Sequence, residues 1–218
     1  AIQKDPDNPI AHLSREDIEQ IGRELDAIRQ EVLDTRGEED AAYIRKVIDS
    51  QRKLEVGSRG VLLFSLFPPA WLAGTTALAV AKILENMEIG HNVLHGQWDW
   101  MRDPKISSQS WDWDFLTPSR QWQASHNEEH HRFTNVIGRD TDLGYGIMRV
   151  DKHQEWEPGF LLQPGLAVLN ALFFDFGIAF YDMRLGPFVR GEVDRATFLA
   201  NLREVLPKVR RQGLKEFV

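Results

Sequence analysis

Residues 61–84 read "VLLFSLFPPAWLAGTTALAVAKIL", a stretch that carries no charged side chain before Lys82. An apolar run of this length is enough for a helix to cross a lipid bilayer, which takes about 20 residues. Pro68 and Pro69 interrupt the run, so we expect a short first segment and a main helix that begins near Ala70. The stretch therefore predicts an all-α fold, an integral-membrane helical bundle.

A second apolar stretch, "FLLQPGLAVLNALFFDFGIAFY", covers residues 160–181. Its membrane character is weaker because Asn170 and Asp175 lie inside it, and polar groups in a bilayer are costly unless they face protein or water. A buried helix of a soluble protein stays open as an alternative for this stretch. The number of membrane crossings is not determined by the sequence.

The residues before the first apolar stretch predict a helical hairpin. "SRED" at 14–17 fits a capping box, with Ser14 as the N-cap and Asp17 three residues later. Apolar residues then recur at spacings of three and four, as in an amphipathic helix over 14–35. These residues are Ile18, Ile21, Leu25, Ile28 and Val32. A second helix is predicted from about 39 to 56.

The chain accordingly divides into three predicted regions. Residues 1–58 form a cytoplasmic helical hairpin, residues 59–184 hold the membrane segments, and residues 185–218 form a basic helical tail. Basic segments beside membrane helices tend to stay in the cytoplasm, which predicts a cytoplasmic location for the tail.

Composition excludes several classes of protein. Of the 218 residues, 42% are hydrophobic and 27% are charged, which is not the composition of a disordered chain. The formal net charge of −7 argues against a nucleic-acid partner, because such proteins carry a basic surface. The chain has no cysteine, so disulfides, iron–sulfur clusters and thiolate zinc sites are excluded.

Five of the seven histidines fall in two short boxes between the apolar stretches, "HNVLH" at 91–95 and "HNEEHH" at 126–131. Histidines four residues apart lie on one face of a helix, and each box contains such a pair. His131 follows its neighbour by one residue and so points about 100° away, which suits a site with two metals. The predicted ligands are His91, His95, His126, His130 and His131. Imidazole binds Zn, Cu, Fe and Ni, so the ligand type does not identify the metal.

An alternative comes from the glutamates near the boxes. Glu88 precedes His91 by three residues and Glu128 precedes His131 by three, and paired Glu-x-x-His motifs are typical of ferritin-like di-iron bundles. That fold needs four long helices, whereas Gly90 lies inside the first motif.

With these motifs in view, the chain resembles the membrane-bound fatty acid desaturases, most closely the actinobacterial acyl-CoA desaturases of the stearoyl-CoA type. The likeness covers nearly the whole chain. It is carried by "ELDAIRQEV", "AKILENMEIGHNVLHGQWDWMRDP", "SHNEEHHRFTN" and "GRDTDLGYG", in the order of the family.

The resemblance implies a di-iron, O₂-dependent enzyme that introduces a double bond into a fatty acyl-CoA. In this family the histidine boxes bind two irons on the cytoplasmic side of the cell membrane, so the five histidines are expected to be ligands. No further catalytic residue is predicted. Four polar residues are expected to orient the histidines, namely Glu88, Asn92, Asn127 and Glu129. An external reductase or ferredoxin-type donor is expected to supply electrons.

One feature departs from the family pattern. Such desaturases carry a third box of the form His-x-x-His-His, and no histidine follows His153 here. We therefore expect an N-terminal part of a desaturase, a truncated form that binds metal weakly and is inactive alone. A di-iron membrane hydroxylase and a non-catalytic membrane subunit that pairs with another chain stay open as alternatives.

Overall fold

The computed structural model describes residues 10–140 and 142–217, in which all regular structure is helical. This confirms the all-α prediction for that part of the chain. The α-helices are α1 (Arg15–Thr35), α2 (Glu38–Leu62), α3 (Pro68–Ile83), α4 (His91–Leu94), α5 (Ser119–Trp122), α6 (His131–Phe133), α7 (Gln163–Leu172), α8 (Phe174–Asp182), α9 (Leu185–Val189) and α10 (Arg195–Phe217). Two π-helical segments are π1 (Leu84–Gly90) and π2 (Gln123–His130). Short 3₁₀ turns cover Asp99–Met101, Gly144–Gly146 and Pro158–Leu162.

The capping box predicted for α1 is present. The hydroxyl of Ser14 accepts from the backbone N–H of Asp17 at 3.1 Å, and the Asp17 carboxylate accepts from the Ser14 N–H at 2.8 Å. Two of the backbone donors left free at the helix start are thereby satisfied.

The second helix is longer than predicted. It begins at Glu38 but continues to Leu62, six residues beyond the expected end, and so enters the first apolar stretch. A turn then leads to Phe67, whose extended backbone (φ −92°, ψ 113°) is the conformation favoured before a proline. Pro68 therefore begins α3 close to the predicted position, at the first helical position where proline fits well.

The chain forms two compact units, one through Asp49 and one from Ser50 onward. In the second unit α3, π1 and α4 follow one another without a break, because Leu84, Gly90 and His91 keep right-handed helical backbone angles. The same holds for α5, π2 and α6, so each histidine box lies on a continuous helical path. The region boundaries predicted from sequence stay predictions.

The second apolar stretch is divided into short helices. The 3₁₀ turn at Pro158–Leu162 leads into α7, and α7 meets α8 at Phe173, whose φ and ψ of −121° and 29° are not helical. Within the described residues no single helix has both the length and the apolar character needed to cross a membrane. The pair Pro158–Leu172 and Phe174–Asp182 meets that test jointly, with a bend of 98° between its parts.

Tryptophans form the core beneath the histidine boxes. Leu94, Trp113 and Trp122 are buried together, with Trp111 and Phe115 packed against them. Trp113 also donates its indole N–H to the carbonyl of Thr117 at 2.8 Å, which satisfies its polar atom inside the core. This core joins α4, which carries the first box, to α5, which leads into the second box.

Charged side chains also fix the loop over residues 111–114, which carries Trp111 and Trp113. Asp114 is almost fully buried and accepts from Lys82 at 2.5 Å and from Lys215 at 2.9 Å. Gln212 bonds to the same carboxylate, and Lys208 binds Asp112 at 2.5 Å. The loop is thereby tied to α3 and to α10, and the three partners of Asp114 hold its pKa below the usual range against the effect of burial.

Candidate metal centre

The first histidine turn is built on α4. His91 and His95 lie one helical turn apart, and their Nε2 atoms approach to 3.0 Å. Ile89, Val93 and Leu94 on the same helical path have exposed fractions of 0–1%, so the opposite side of the turn is anchored in the core. The two imidazoles are therefore held toward one point in space.

The second turn comes from π2 and the start of α6. The rings of His126 and His130 stack at 4.8 Å with an angle of 23° between their planes. The ring of His131 is turned by 74° from that of His130, so the box presents imidazoles in two directions, as the sequence predicts. On its other face the ring of His126 stacks on Trp122 at 4.5 Å.

The structure brings all five predicted histidines together. Ring centroids of His95 lie 5.2 Å from His126 and 4.7 Å from His131, and His91 lies 5.4 Å from His126. Two groups have ligand atoms within 4.8 Å of one another. They are His91, His95 and His126 in one group, and His126, His130 and His131 in the other. His126 thus belongs to both groups.

A π-helical segment runs directly into each histidine turn. The N–H of His91 bonds to the carbonyl of Asn86, and the N–H of His131 bonds to the carbonyl of His126, both five residues back. Such bonds insert an extra residue into the helical turn and rotate the residues that follow. π-Helical turns are rare and concentrate at functional sites. Here π1 ends directly before the first box, and π2 contains His126 to His130 of the second box.

Two carboxylates hold the second turn from outside. Asp142 lies 2.8 Å from Nδ1 of His126, and Asp140 lies 2.9 Å from Nδ1 of His130. Asp140 is itself fixed by the backbone N–H groups of Asn135 at 2.7 Å and of Asp142 at 3.0 Å. A carboxylate on Nδ1 keeps the proton there and leaves the Nε2 lone pair for a metal.

These two aspartates were not singled out by sequence reasoning, although both lie in the quoted "GRDTDLGYG" motif. Their signal was the position of two acids nine and eleven residues after His131, close enough to fold back on the box. Metal-bound histidines usually have such a partner, so the boxes alone predict acidic residues close to them in the fold.

Of the four polar residues expected to orient the histidines, Glu88 precedes the first box and the other three lie inside the boxes. The side-chain amide of Asn92 donates to the carbonyl of Glu88 at 2.5 Å, and that of Asn127 donates to the carbonyl of Leu94 at 2.9 Å. Glu129 pairs with Arg184 at 3.6 Å. Asn127 therefore ties π2 to the end of the first histidine turn, a link between the boxes.

Burial keeps several of these imidazoles neutral. It lowers the pKa of His95 to about 4, with further lowering by His91 and the other box histidines. The pKa values of His91 and His131 are lowered for the same two reasons, burial first and neighbouring imidazoles second. A metal needs the neutral imidazole, so the lowered pKa values favour metal over proton at neutral pH.

The donor set fits a metal with nitrogen ligands. Both groups of ligand atoms found among the described residues consist of histidine only, whereas ferritin-like sites need carboxylate ligands. Glu88 and Glu128, the acids of the Glu-x-x-His motifs, are exposed on the helix surface. The geometry therefore argues against the ferritin-like alternative.

A cavity of about 750 Å³ adjoins the second turn. Ser125, Glu129 and Asp140 border it on the histidine side, and the remainder is lined by the loop over residues 138–154 and by residues of α7, α8, α9 and α10. Its apolar lining residues include Leu143, Ile147, Ile178, Phe180 and Leu185. Volumes of 300–1,000 Å³ with mostly apolar walls and a few polar groups are typical of small-molecule sites.

Known proteins with similar sequences are desaturases. The chain is 46% identical over 208 residues to the NADPH-dependent stearoyl-CoA 9-desaturase of Mycobacterium tuberculosis, in each of two strains, and the match covers 95% of the chain. It is 31% identical over 98 residues to the sn-1 linoleoyl-lipid 6-desaturase of Synechocystis sp., which covers 44% of the chain and 27% of that protein. These relatives confirm the resemblance to stearoyl-CoA-type desaturases of actinobacteria.

The match to the mycobacterial proteins covers 49% of their length, so the chain spans about half of them. No family model matches the chain. No solved structure matches it either.

Proposed function

From its likeness to the actinobacterial stearoyl-CoA-type desaturases, we propose that this chain is the part of a fatty acyl-CoA desaturase that carries two histidine boxes. The observation that supports this best is that five histidines, from boxes about thirty residues apart, form two groups of three that share His126. Within each group the ligand atoms lie within 4.8 Å of one another. The 46% identity to a named stearoyl-CoA 9-desaturase gives the reaction class.

Two iron ions are the proposed cofactors, and their ligands are His91, His95, His126, His130 and His131. Iron supplies the activation of O₂ and the oxidising power to remove hydrogen from an unactivated methylene, chemistry that no amino-acid side chain provides. The residues around these ligands act on the position or the protonation of the imidazoles. Asp140 and Asp142 keep the protons of His130 and His126 on Nδ1, and the tryptophan core excludes water from one side.

The described residues offer fewer nitrogens than two irons require. Each imidazole gives one metal-facing nitrogen, and His126 is counted in both groups, so five nitrogens are divided between two ions. We therefore expect the chain by itself to bind metal weakly and to lack turnover. Further ligands are proposed to come from a segment or partner outside these residues.

The cavity beside the second turn is proposed to receive the acyl chain. Its walls are mostly apolar, which suits a hydrocarbon, and Asp140, the hydrogen-bond partner of His130, lies on its border. An acyl-CoA substrate is supported by the name of the mycobacterial relative, which specifies stearoyl-CoA.

The same name calls the relative NADPH-dependent. We propose that electrons reach this site through an external reductase or ferredoxin-type donor.

A location in the cell membrane, with the boxes on the cytoplasmic side, is proposed from the two apolar stretches. Side chains of the first stretch are strongly exposed, with Leu63 at 83% and Leu66 at 101%. In the second stretch Leu161 and Leu172 are exposed at 73% and 71%. Large exposed apolar side chains gathered in this way mark a surface that meets lipid or protein.

The experiment uses the native protein, captured from its source cells with an antibody against the peptide of α1. The captured protein is supplied with stearoyl-CoA, NADPH, a flavin reductase with ferredoxin, and O₂, and the products are analysed by mass spectrometry. A product two hydrogens lighter supports the proposal. An alcohol supports a di-iron hydroxylase instead, and absence of both product and iron supports a non-catalytic subunit; either result overturns the proposal.

A further inference from the structure

A chain of hydrogen bonds links α8 to the histidine that both metal groups share. The hydroxyl of Tyr181 donates to Oδ1 of Asp142 at 2.7 Å, and Oδ2 of the same carboxylate lies 2.8 Å from Nδ1 of His126. Each oxygen of Asp142 thus has one partner on this path. Tyr181 sets where the carboxylate sits, and the carboxylate sets the orientation of the imidazole.

The ring of Tyr181 is itself held in place. Tyr145 packs against it edge to face, with ring centroids 5.5 Å apart. Tyr145 has a left-handed backbone with φ of 54°, a conformation that non-glycine residues adopt only when their surroundings impose it. A tyrosine kept in this conformation beside the Asp142 loop indicates that the position of its ring is structurally determined.

His126 is the position at which such control has the largest effect. It is a member of both groups of ligand atoms, so a rotation of this one ring changes the geometry of two metal positions together. His130 has a different support, because Asp140 is fixed by backbone N–H groups rather than by a side chain. A side-chain hydroxyl is removable by mutation without change to the backbone.

We propose that Tyr181 is a positioning residue for the metal centre, acting through Asp142 to hold His126 in the orientation that both metal positions need. The inference rests on the proposed function, since it assumes that His126 binds metal. It adds a residue on α8, fifty-five positions after His126, to a site otherwise built from the boxes and the loop that follows them.

The test is metal binding by the detergent-solubilised 218-residue chain, with Co(II) as the probe. Affinity is measured by competition with a chelator, and the ligand geometry is read from the visible absorption bands of bound Co(II). Removal of an outer partner of a metal-bound histidine typically weakens binding 10–100-fold, so we expect about 3–10-fold for Tyr181→Phe, one bond further out. The Co(II) bands are expected to change in position or intensity as well.

A double-mutant cycle separates this role from a general structural one. In a chain that already carries Asp142→Asn, Tyr181→Phe should have little further effect, because its path to His126 is broken. Tyr145→Phe is the matched control, since it removes a neighbouring tyrosine hydroxyl and keeps the ring that supports Tyr181. It should leave the affinity and the Co(II) bands unchanged.

The outcomes distinguish this inference from the proposed function. If His126→Ala binds Co(II) as wild type does, the proposed metal site is wrong. If His126→Ala loses Co(II) while Tyr181→Phe matches wild type, the site stands and the role of Tyr181 is refuted. An equal loss in Tyr145→Phe, or an undiminished loss in the Asp142→Asn background, also refutes it.

Discussion

The two histidine turns differ in what surrounds their imidazoles. In the first turn His91 and His95 lie against fully buried apolar residues of their own helix, and burial is the main cause of their lowered pKa values. In the second turn His131 is exposed, and His126 and His130 each meet an aspartate. Among the described residues, no carboxylate is hydrogen-bonded to either histidine of the first turn.

This difference shows two ways to prepare imidazole for a metal. Burial penalises the charged imidazolium and leaves the ring neutral, while a carboxylate on Nδ1 selects the tautomer and the orientation. The metal affinity and the stability of the first turn are thus expected to depend on packing and on pH. The second is expected to depend on the two aspartates.

The largest effect is expected from removal of a ligand. His95→Ala takes one of two nitrogens that meet at 3.0 Å in the first turn, and we expect Co(II) affinity to fall by at least about 100-fold. Isothermal titration or chelator competition measures it. His153→Ala is the control, because that histidine is exposed and lies outside both groups. Equal affinities for the two variants would contradict the assignment of the first box.

Loss of a carboxylate partner should have a smaller effect and should act on the second turn. Asp140→Asn keeps the shape of the side chain but weakens its hold on His130, so we expect Co(II) affinity to fall about 10–100-fold. Asp151→Asn offers a matched control, since Asp151 bonds Nδ1 of exposed His153 at the same kind of distance, 2.8 Å. A loss in the control as large as that in Asp140→Asn would point to a non-specific charge effect.

The first turn should respond to pH. The pKa of His95 is 6.5 in an unfolded chain and about 4 in the fold, so its contribution to stability is present above pH 6.5 and is lost as pH falls toward 4. After allowance for its partial exposure, the loss is on the order of 1–2 kcal/mol. Urea unfolding of the metal-free chain at pH 7 and pH 5 measures it, and His95→Gln should show a smaller difference. If the stability of His95→Gln differs between pH 7 and pH 5 as much as that of wild type, titration of His95 is not the cause.

Glu85, six residues before the first box, should show the opposite sign. Burial raises its pKa from 4.5 to about 7, although Arg52 at 3.3 Å opposes the rise. Its contribution to stability is therefore present below pH 4.5 and is lost as pH rises through 7, by about 2 kcal/mol. Glu85→Gln should remove this dependence, so the variant gains stability relative to wild type between pH 5 and pH 8. A gain that is independent of pH would exclude titration of Glu85 as the cause.

The smallest effect is expected far from both turns, at the start of α1. Ser14→Ala removes the hydroxyl of the capping box and should destabilise the helix by about 1 kcal/mol. Faster amide hydrogen exchange in the first turn of α1 measures this, while Co(II) affinity should not change. Unchanged exchange there would show that the cap is not formed in solution.

Sequence reasoning succeeded where one local rule was enough. The capping box of α1 follows from four residues, and proline chemistry placed the start of α3 within two residues. The five histidines were found because their spacing and number within a short segment are unusual. These features need no knowledge of distant contacts.

The missed features depend on contacts between distant segments or on rare backbone geometry. Nothing in the composition of Leu84–Gly90 or Gln123–His130 signals a π-helix, a rare form of helical turn. Asp140 and Asp142 needed the loop after α6 to fold back on the box. The break at Phe173 was missed because the apolar pattern of residues 160–181 continues through it.

The most direct test of the central claim is the X-ray absorption spectrum at the iron edge of the native protein, captured through α1 and loaded with Fe(II). We expect nitrogen neighbours with the outer-shell scattering of imidazole, and a weaker imidazole signal when His126 is replaced by alanine. A spectrum dominated by carboxylate oxygen, or one that His126→Ala leaves unchanged, would contradict the claim that the two histidine turns together form the metal site.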